Sequence, residues 1–96
     1  MIPMLSLQSF AAAVGEEFAM QIGTASMPLA LVEAKPLSHA TGGYRQPFSL
    51  MFRSASPVVL PQKTYPLTNA TMGNHAIFLV PVGRDAVGVL YQAVFN

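Results

Sequence analysis

The 96 residues contain no cysteine, which excludes disulfide scaffolds, thiol catalysis and cysteine-ligated metal sites. The absence fits a reducing compartment, and the expected location is cytoplasmic. Charge is scarce as well. Five Lys or Arg and four Asp or Glu make up 9% of the chain, against about 25% in an ordinary soluble domain. No apolar run approaches the roughly 18–20 residues of a membrane helix, so no membrane partner is expected. The first residues include the small-residue site Ala11-Ala12-Ala13, but no Lys or Arg precedes them and Ser6, Gln8 and Ser9 interrupt the apolar stretch. That stretch reads as part of the fold rather than as a signal peptide.

Apolar residues, in contrast, reach 52%, and the formal net charge is only +1. A chain of this length makes one domain, residues 1–96, and buries only about 60–65% of the surface that its unfolded form exposes. Few charges and near-zero net charge favour association over dispersal. Exposed apolar surface is therefore expected, and such surface marks contact sites. Ser, Thr, Gln, Asn and Gly covering the outside is the plainer alternative.

Ser6 reads as an N-cap. Leu7, Phe10, Ala11 and Val14 follow at i, i+3, i+4 and i+7, which predicts a short helix over residues 7–14 stopped by Gly15. From Glu17 the apolar period becomes two, with Phe18, Met20 and Ile22 on one face. Residues 23–26 form a turn cluster. Residues 29–35 read as a strand ended by Pro36. Leu29 and Leu31 fall in phase with Glu33 and Lys35, so a bulge near Val32 is expected. Residues 45–53 have the cleanest alternation, with Gln46, Phe48, Leu50 and Phe52 on the core side. Residues 58–60 and 65–69 are two short extended pieces, and residues 72–74 a turn. Residues 76–82 are wholly apolar. Ile77, Leu79 and Pro81 occupy one face and Phe78, Val80 and Val82 the other, so one face needs a cover beyond the core. Residues 83–88 loop back to a last strand over 89–95. Mostly antiparallel β structure follows: a small barrel or rolled sheet of about six strands, with one short N-terminal helix packed across it. Phe10, Phe18, Met20, Phe48, Leu50, Phe52, Leu79, Tyr91 and Phe95 should form the core. No internal repeat is visible.

Chemistry is hard to place. His39 and His75 lie in or beside turns, and the remaining candidate ligands, Glu16, Glu17, Glu33 and Asp85, have no metal-site spacing. No G-x-S-x-G elbow accompanies Asp85, the single aspartate, and its position among glycines suits a turn. Adjacent Glu16 and Glu17 point to opposite faces of a strand, which suits no paired-carboxylate chemistry. The spacing Gly83 to Gly88 lacks the Lys-Ser/Thr of a phosphate loop. The expectation is that the chain is not an enzyme and takes no cofactor. Arg45, Ser49 and Arg53 on one strand face, beside Tyr44, are the best local case for nucleic acid. Three such contacts give weak binding at most, and basic residues at strand ends usually guard edges.

Five stretches then carry a resemblance: LQSFAAAVG (7–15), RQPFSLMFR (45–53), LPQKTYPL (60–67), FLVPVG (78–83) and YQAVFN (91–96). In this order they resemble a family of short bacterial proteins described as a domain of unknown function. The resemblance implies no assigned activity, cofactor or catalytic residue, and a loose association with phage-tail-like and tail-collar genes. Ser9, where that family often has an acidic residue, and Leu90 and Gln92, where it often has charge, make this chain more apolar. The reading is therefore a structural or assembly module, phage-tail-like, that binds itself or another protein. Ile77, Leu79, Phe78, Val80, Arg45 and Arg53 are its candidate interaction residues. The alternatives are a small-ligand-binding barrel and, behind it, a single-stranded nucleic-acid binder.

Overall fold

The computed structural model of the chain describes residues 5–37 and 47–95. One helix, α1 (Leu7–Ala11), precedes six strands: β1 (Glu17–Ile22), β2 (Ala25–Pro36), β3 (Phe48–Ser54), β4 (Lys63–Asn69), β5 (Gly73–Arg84) and β6 (Val89–Phe95). All neighbouring strands pair antiparallel, and the sheet closes into a barrel in the order β1-β2-β3-β6-β5-β4. Small-barrel architecture with a short N-terminal helix is thus what the alternation foretells, and closure removes the free edges that a rolled sheet would leave.

The order has an internal logic absent from the sequence pattern. Strands β1-β2-β3 and β4-β5-β6 are two meanders of matching lengths, each built on a 12-residue middle strand. Each middle strand hands over from one neighbour to the next. β2 pairs with β1 through Ala30 and with β3 from Leu29 to Pro36. β5 pairs with β4 through Leu79 and with β6 from Val80. Each carries a register shift in its second half, at Val32 and at Val82. The Val32 bulge resolves the imperfect alternation of residues 29–35. It turns Glu33 and Lys35 outward after Leu31 has pointed inward.

Local sequence explains most boundaries. Ser6 caps α1 by accepting a hydrogen bond at Oγ from the Ser9 amide at 3.2 Å. The helix is shorter than its periodicity predicts. After Ala11 the bonds tighten to i→i−3, with the Ala13 amide donating to the Phe10 carbonyl at 2.9 Å. The tighter turn rotates the face, so Ala13 is buried beside Phe10 while Ala11 and Val14 are exposed. Gly15, at φ +94°, then turns its amide onto the Leu31 carbonyl at 2.8 Å. Only Gly23 and Thr24 separate the paired ends of β1 and β2, a tighter turn than the four-residue cluster expected. Residues 58–60 are not a strand. Their apolar side chains belong to the connection between the two meanders.

Inside the barrel Phe18 meets Phe52 edge-on at 5.5 Å, surrounded by Met20, Leu29, Leu67, Ile77 and Leu79. One end is closed by α1. Phe10 lies 5.9 Å from Phe48 and 5.6 Å from Phe95, and Phe48 and Phe95 stack at 4.7 Å. Phe95 is only half-buried, because β6 ends there at the barrel mouth. At the opposite end two tyrosines reach out of the core to hold the inter-meander connection. The Tyr65 hydroxyl donates to the Pro61 carbonyl at 2.6 Å, and the Tyr91 hydroxyl accepts from the Leu60 amide at 3.1 Å. Both rings are buried with a polar tip in use, as tyrosine in a small core requires.

Candidate functional site

Strand β5 decides which of the candidate residues can meet a partner. Ile77 and Leu79 are 2% and 0% exposed and point into the barrel, so they are core residues and not part of an interaction surface. Strict alternation sends their neighbours outward. Phe78 is 52% exposed, Val80 half-buried, and Val82, the extra residue of the bulge, 49% exposed. Adjacent strands extend this outer face. Val80 pairs with Gln92, Gln92 with Met51, and Met51 with Glu33. One alternate residue along, Val94 pairs with Ser49 and Ser49 with Lys35. Val94 is 51% exposed. Across β5, β6 and β3 this wall shows Phe78, Val80, Val94, Gln92, Met51 and Ser49, with no charge among them. Glu33 and Lys35 stand at its β2 margin, their head groups 4.0 Å apart.

Val94 was not among the residues singled out from the sequence. The signal for Val94 was present: Tyr91, Ala93 and Phe95 on one side of β6 imply that Gln92 and Val94 face away. Alternation also set Val82 on the face of Phe78 and Val80, where it is exposed as the extra residue of the bulge.

Arg53 shares the outward face of β3 two residues from Met51, with its guanidinium turned to Asp85. Its Nη2 is 2.7 Å from Asp85 Oδ2 and its Nε donates to the same oxygen at 3.0 Å. Asp85 Oδ1 meanwhile accepts from the amides of Val87 and Gly88 at 2.9 and 3.0 Å. Those two amides, ahead of the Arg53 guanidinium, hold the Asp85 carboxyl below its ordinary range. Asp85 is therefore the keystone of the β5–β6 loop, in line with the turn role read from its glycine neighbours. Gly88 lets that loop close, since a Cβ there would overlap the Ser54 carbonyl oxygen. Arg45, Tyr44 and His39 lie outside the described residues. Of the nucleic-acid face, Ser49 is 3% exposed and Arg53 is committed to Asp85.

Titratable groups elsewhere have structural employment. His75 Nε2 donates to the Met72 carbonyl at 2.6 Å, inside the β4–β5 turn. Glu16 Oε1 accepts from Asn69 Nδ2 and Thr71 Oγ1, both at 3.1 Å. Burial, and then the neighbouring Tyr91, raise the Tyr65 hydroxyl above its ordinary 10.0. Among the described residues no three His, Asp or Glu gather as metal ligands. Two shallow clefts of about 360 and 380 Å³ flank Arg84, one lined by the Asp85 loop and one by Val59, Val82 and Val89. Among the described residues no helix is long and apolar enough to cross a membrane.

A family model described as a domain of unknown function, DUF6916, matches residues 5–95, and the chain belongs to that family. No curated protein and no solved structure is significantly similar to it.

Proposed function

We propose that this DUF6916 domain is a structural or assembly module that works by binding a protein through the outer wall of β5 and β6. One observation carries the reading: Phe78 and Val94 stand half-exposed, 52% and 51%, on an uncharged wall. The half of the Phe78 side chain left in water contributes nothing to the fold, whereas a partner that covers it gains about 25 cal/mol for each Å² removed from water. The chain also has too few charges to build an ordinary solvated shell. A phage-tail-like assembly is the setting we propose for such a module, on the strength of the sequence resemblance alone.

A small-ligand-binding barrel draws less support. Side chains of Phe18, Met20, Leu31, Phe52, Leu67 and Tyr91 converge in the interior, each at most 1% exposed. The clefts beside Arg84 are open and carry neither Phe nor Met. The test of the assembly reading is affinity capture with the wild type and with Phe78→Lys, from cells that make the protein, beside light scattering of both. A partner or oligomer held by the wild type and lost with Phe78→Lys supports the reading. A wild type that is monomeric and captures nothing in a Phe78-dependent way removes it.

A further inference from the structure

An unpaired cation and exposed apolar side chains coincide at the barrel end where the two tyrosines hold the inter-meander connection. Lys35 stands 4.0 Å from Glu33, Arg53 is bound to Asp85, and Lys63 lies 5.8 Å from the centre of the Tyr65 ring. Arg84 is exposed, and among the described residues no carboxylate or ring stands against it. It pairs with Val89, which is buried and points inward. Cross-strand partners share a face, so Arg84 lies on the inner side of the sheet, past the end of the packed core, and not on the outer wall. Val59, Val82 and Val89 line the cleft of about 380 Å³ on one side of it, and Pro57 and Val87 the cleft of about 360 Å³ on the other. Val59, Val82 and Val87 are all exposed. One guanidinium thus stands between two apolar hollows.

We infer that this barrel end docks an extended segment of a partner protein that carries a carboxylate flanked by apolar side chains. The carboxylate binds Arg84 and one apolar side chain enters each cleft. The inference rests on the assembly reading for the partner's being a protein, and it adds a contact at the barrel end to that of the outer wall. Charge complementarity selects the occupant. A guanidinium takes a carboxylate through two parallel N–H···O bonds, and apolar walls on both sides shield that pair from water. A nucleic acid needs several cations along its path, and Arg53 is already neutralised by Asp85. Asp85 lines one cleft, but its oxygens are taken by Arg53 and by the Val87 and Gly88 amides. Arg84 is left for a carboxylate from outside. Each cleft is open and sits at the small end of the range of about 300–1,000 Å³ for small-molecule sites, which suits a side chain rather than a whole ligand.

The probes are end-capped heptapeptides with a central Asp and an apolar residue two positions to either side, so that an extended chain shows all three on one face. A twin set carries Asn for the Asp. Binding is read by fluorescence anisotropy with protein up to about 1 mM. The Asp peptides should bind the wild type at least about tenfold more tightly than their Asn twins, because the charge-assisted pair is lost in the twins. Arg84→Gln should abolish that preference, Arg84→Lys should keep part of it, and Val59→Ser should weaken both sets alike. Both positions are exposed, and far-UV circular dichroism checks that each variant keeps the fold. Twins that bind equally, a preference that survives Arg84→Gln, or no binding at the highest concentration overturns the inference. So does N-acetylaspartate amide binding as tightly as the heptapeptides, since the clefts would then play no part. Arg84→Gln also joins Phe78→Lys in the capture experiment. A partner lost with Phe78→Lys and kept by Arg84→Gln overturns this inference and leaves the assembly reading standing. Peptides held through Arg84, with no capture that depends on Phe78, support this inference and remove the outer-wall reading.

Discussion

Asn69 is bound to Glu16 across the seam where the barrel closes, its Nδ2 donating to Glu16 Oε1 at 3.1 Å and to the Glu17 carbonyl at 3.1 Å. The same side chain turns its Oδ1 to the amides of Thr71 and Met72, at 2.8 and 2.9 Å. The backbone ladder between β1 and β4 is short, only Ala19 with Thr68 and Met20 with Leu67. Continued by one residue it would set Gln21 opposite Pro66, which has no amide to give. At the other end of the ladder, beyond Ala19 and Thr68, one buried amide side chain ties the β4–β5 turn to β1.

Replacing Asn69 by Ala strands two turn amides and the Glu17 carbonyl. The expected loss is about 1–3 kcal/mol of unfolding free energy, read from urea denaturation. Amide exchange should quicken first at Ala19, Met20, Leu67 and Thr68. A loss spread evenly over β2 and β3 would contradict the local role.

Gly88→Ala should be among the most damaging small substitutions. Its Cβ meets the Ser54 carbonyl, a backbone atom that cannot swing aside. The expected cost is about 1–3 kcal/mol or more. Gly83→Ala, with nothing within 4 Å of the new Cβ, should stay within about 0.5 kcal/mol of wild type. Thermal unfolding of the pair makes the comparison.

Phe10→Ala removes the ring that closes one barrel mouth against Phe48 and Phe95. About 3–5 kcal/mol should be lost. Truncating the half-buried Phe95 should cost less, by the same denaturation measurement.

Two pH effects follow from the shifted groups. The raised Tyr65 hydroxyl binds its proton more tightly in the folded state, so its stabilisation is complete below 10.0 and is lost as pH rises through the folded value. Stability should fall at high pH in the wild type and fall less in Tyr65→Phe, which at neutral pH costs about 0.5–1.5 kcal/mol through the lost bond to Pro61. Asp85 runs the other way. Its lowered value gives a contribution present above 3.8 and lost as pH drops through the folded value. Exchange of the Val87 and Gly88 amides, corrected for intrinsic rate, should show reduced protection in that acid range, and Asp85→Asn should remove the dependence.

Much of the architecture was legible along the chain because its causes are local. Phe48, Leu50 and Phe52 alternate with side chains of the outer wall, Ser6 and Gly15 bracket the helix, and the phase error after Leu31 announced the Val32 bulge. The candidate site was half legible. The apolar run 76–82 pointed to a wall needing a cover, but periodicity treats Ile77 and Phe78 alike. Pro66 stands inside β4, and the barrel accommodates it by leaving the β1–β4 ladder short.

Composition and alternation, then, specify six antiparallel strands, a capped helix and a surplus of apolar surface, because backbone pairing and burial obey a period of two wherever the chain lies. They are silent on which strands meet. Closure brings Asn69 to Glu16, Gly88 to Ser54 and Arg53 to Asp85, contacts between residues 32 or more positions apart. It also chooses Ile77 and Leu79 for the interior and leaves Phe78 and Val80 outside. That choice depends on the register of β5 against β4 and β6, where a slip of one residue exchanges the two faces, and no segment of the sequence read alone contains it.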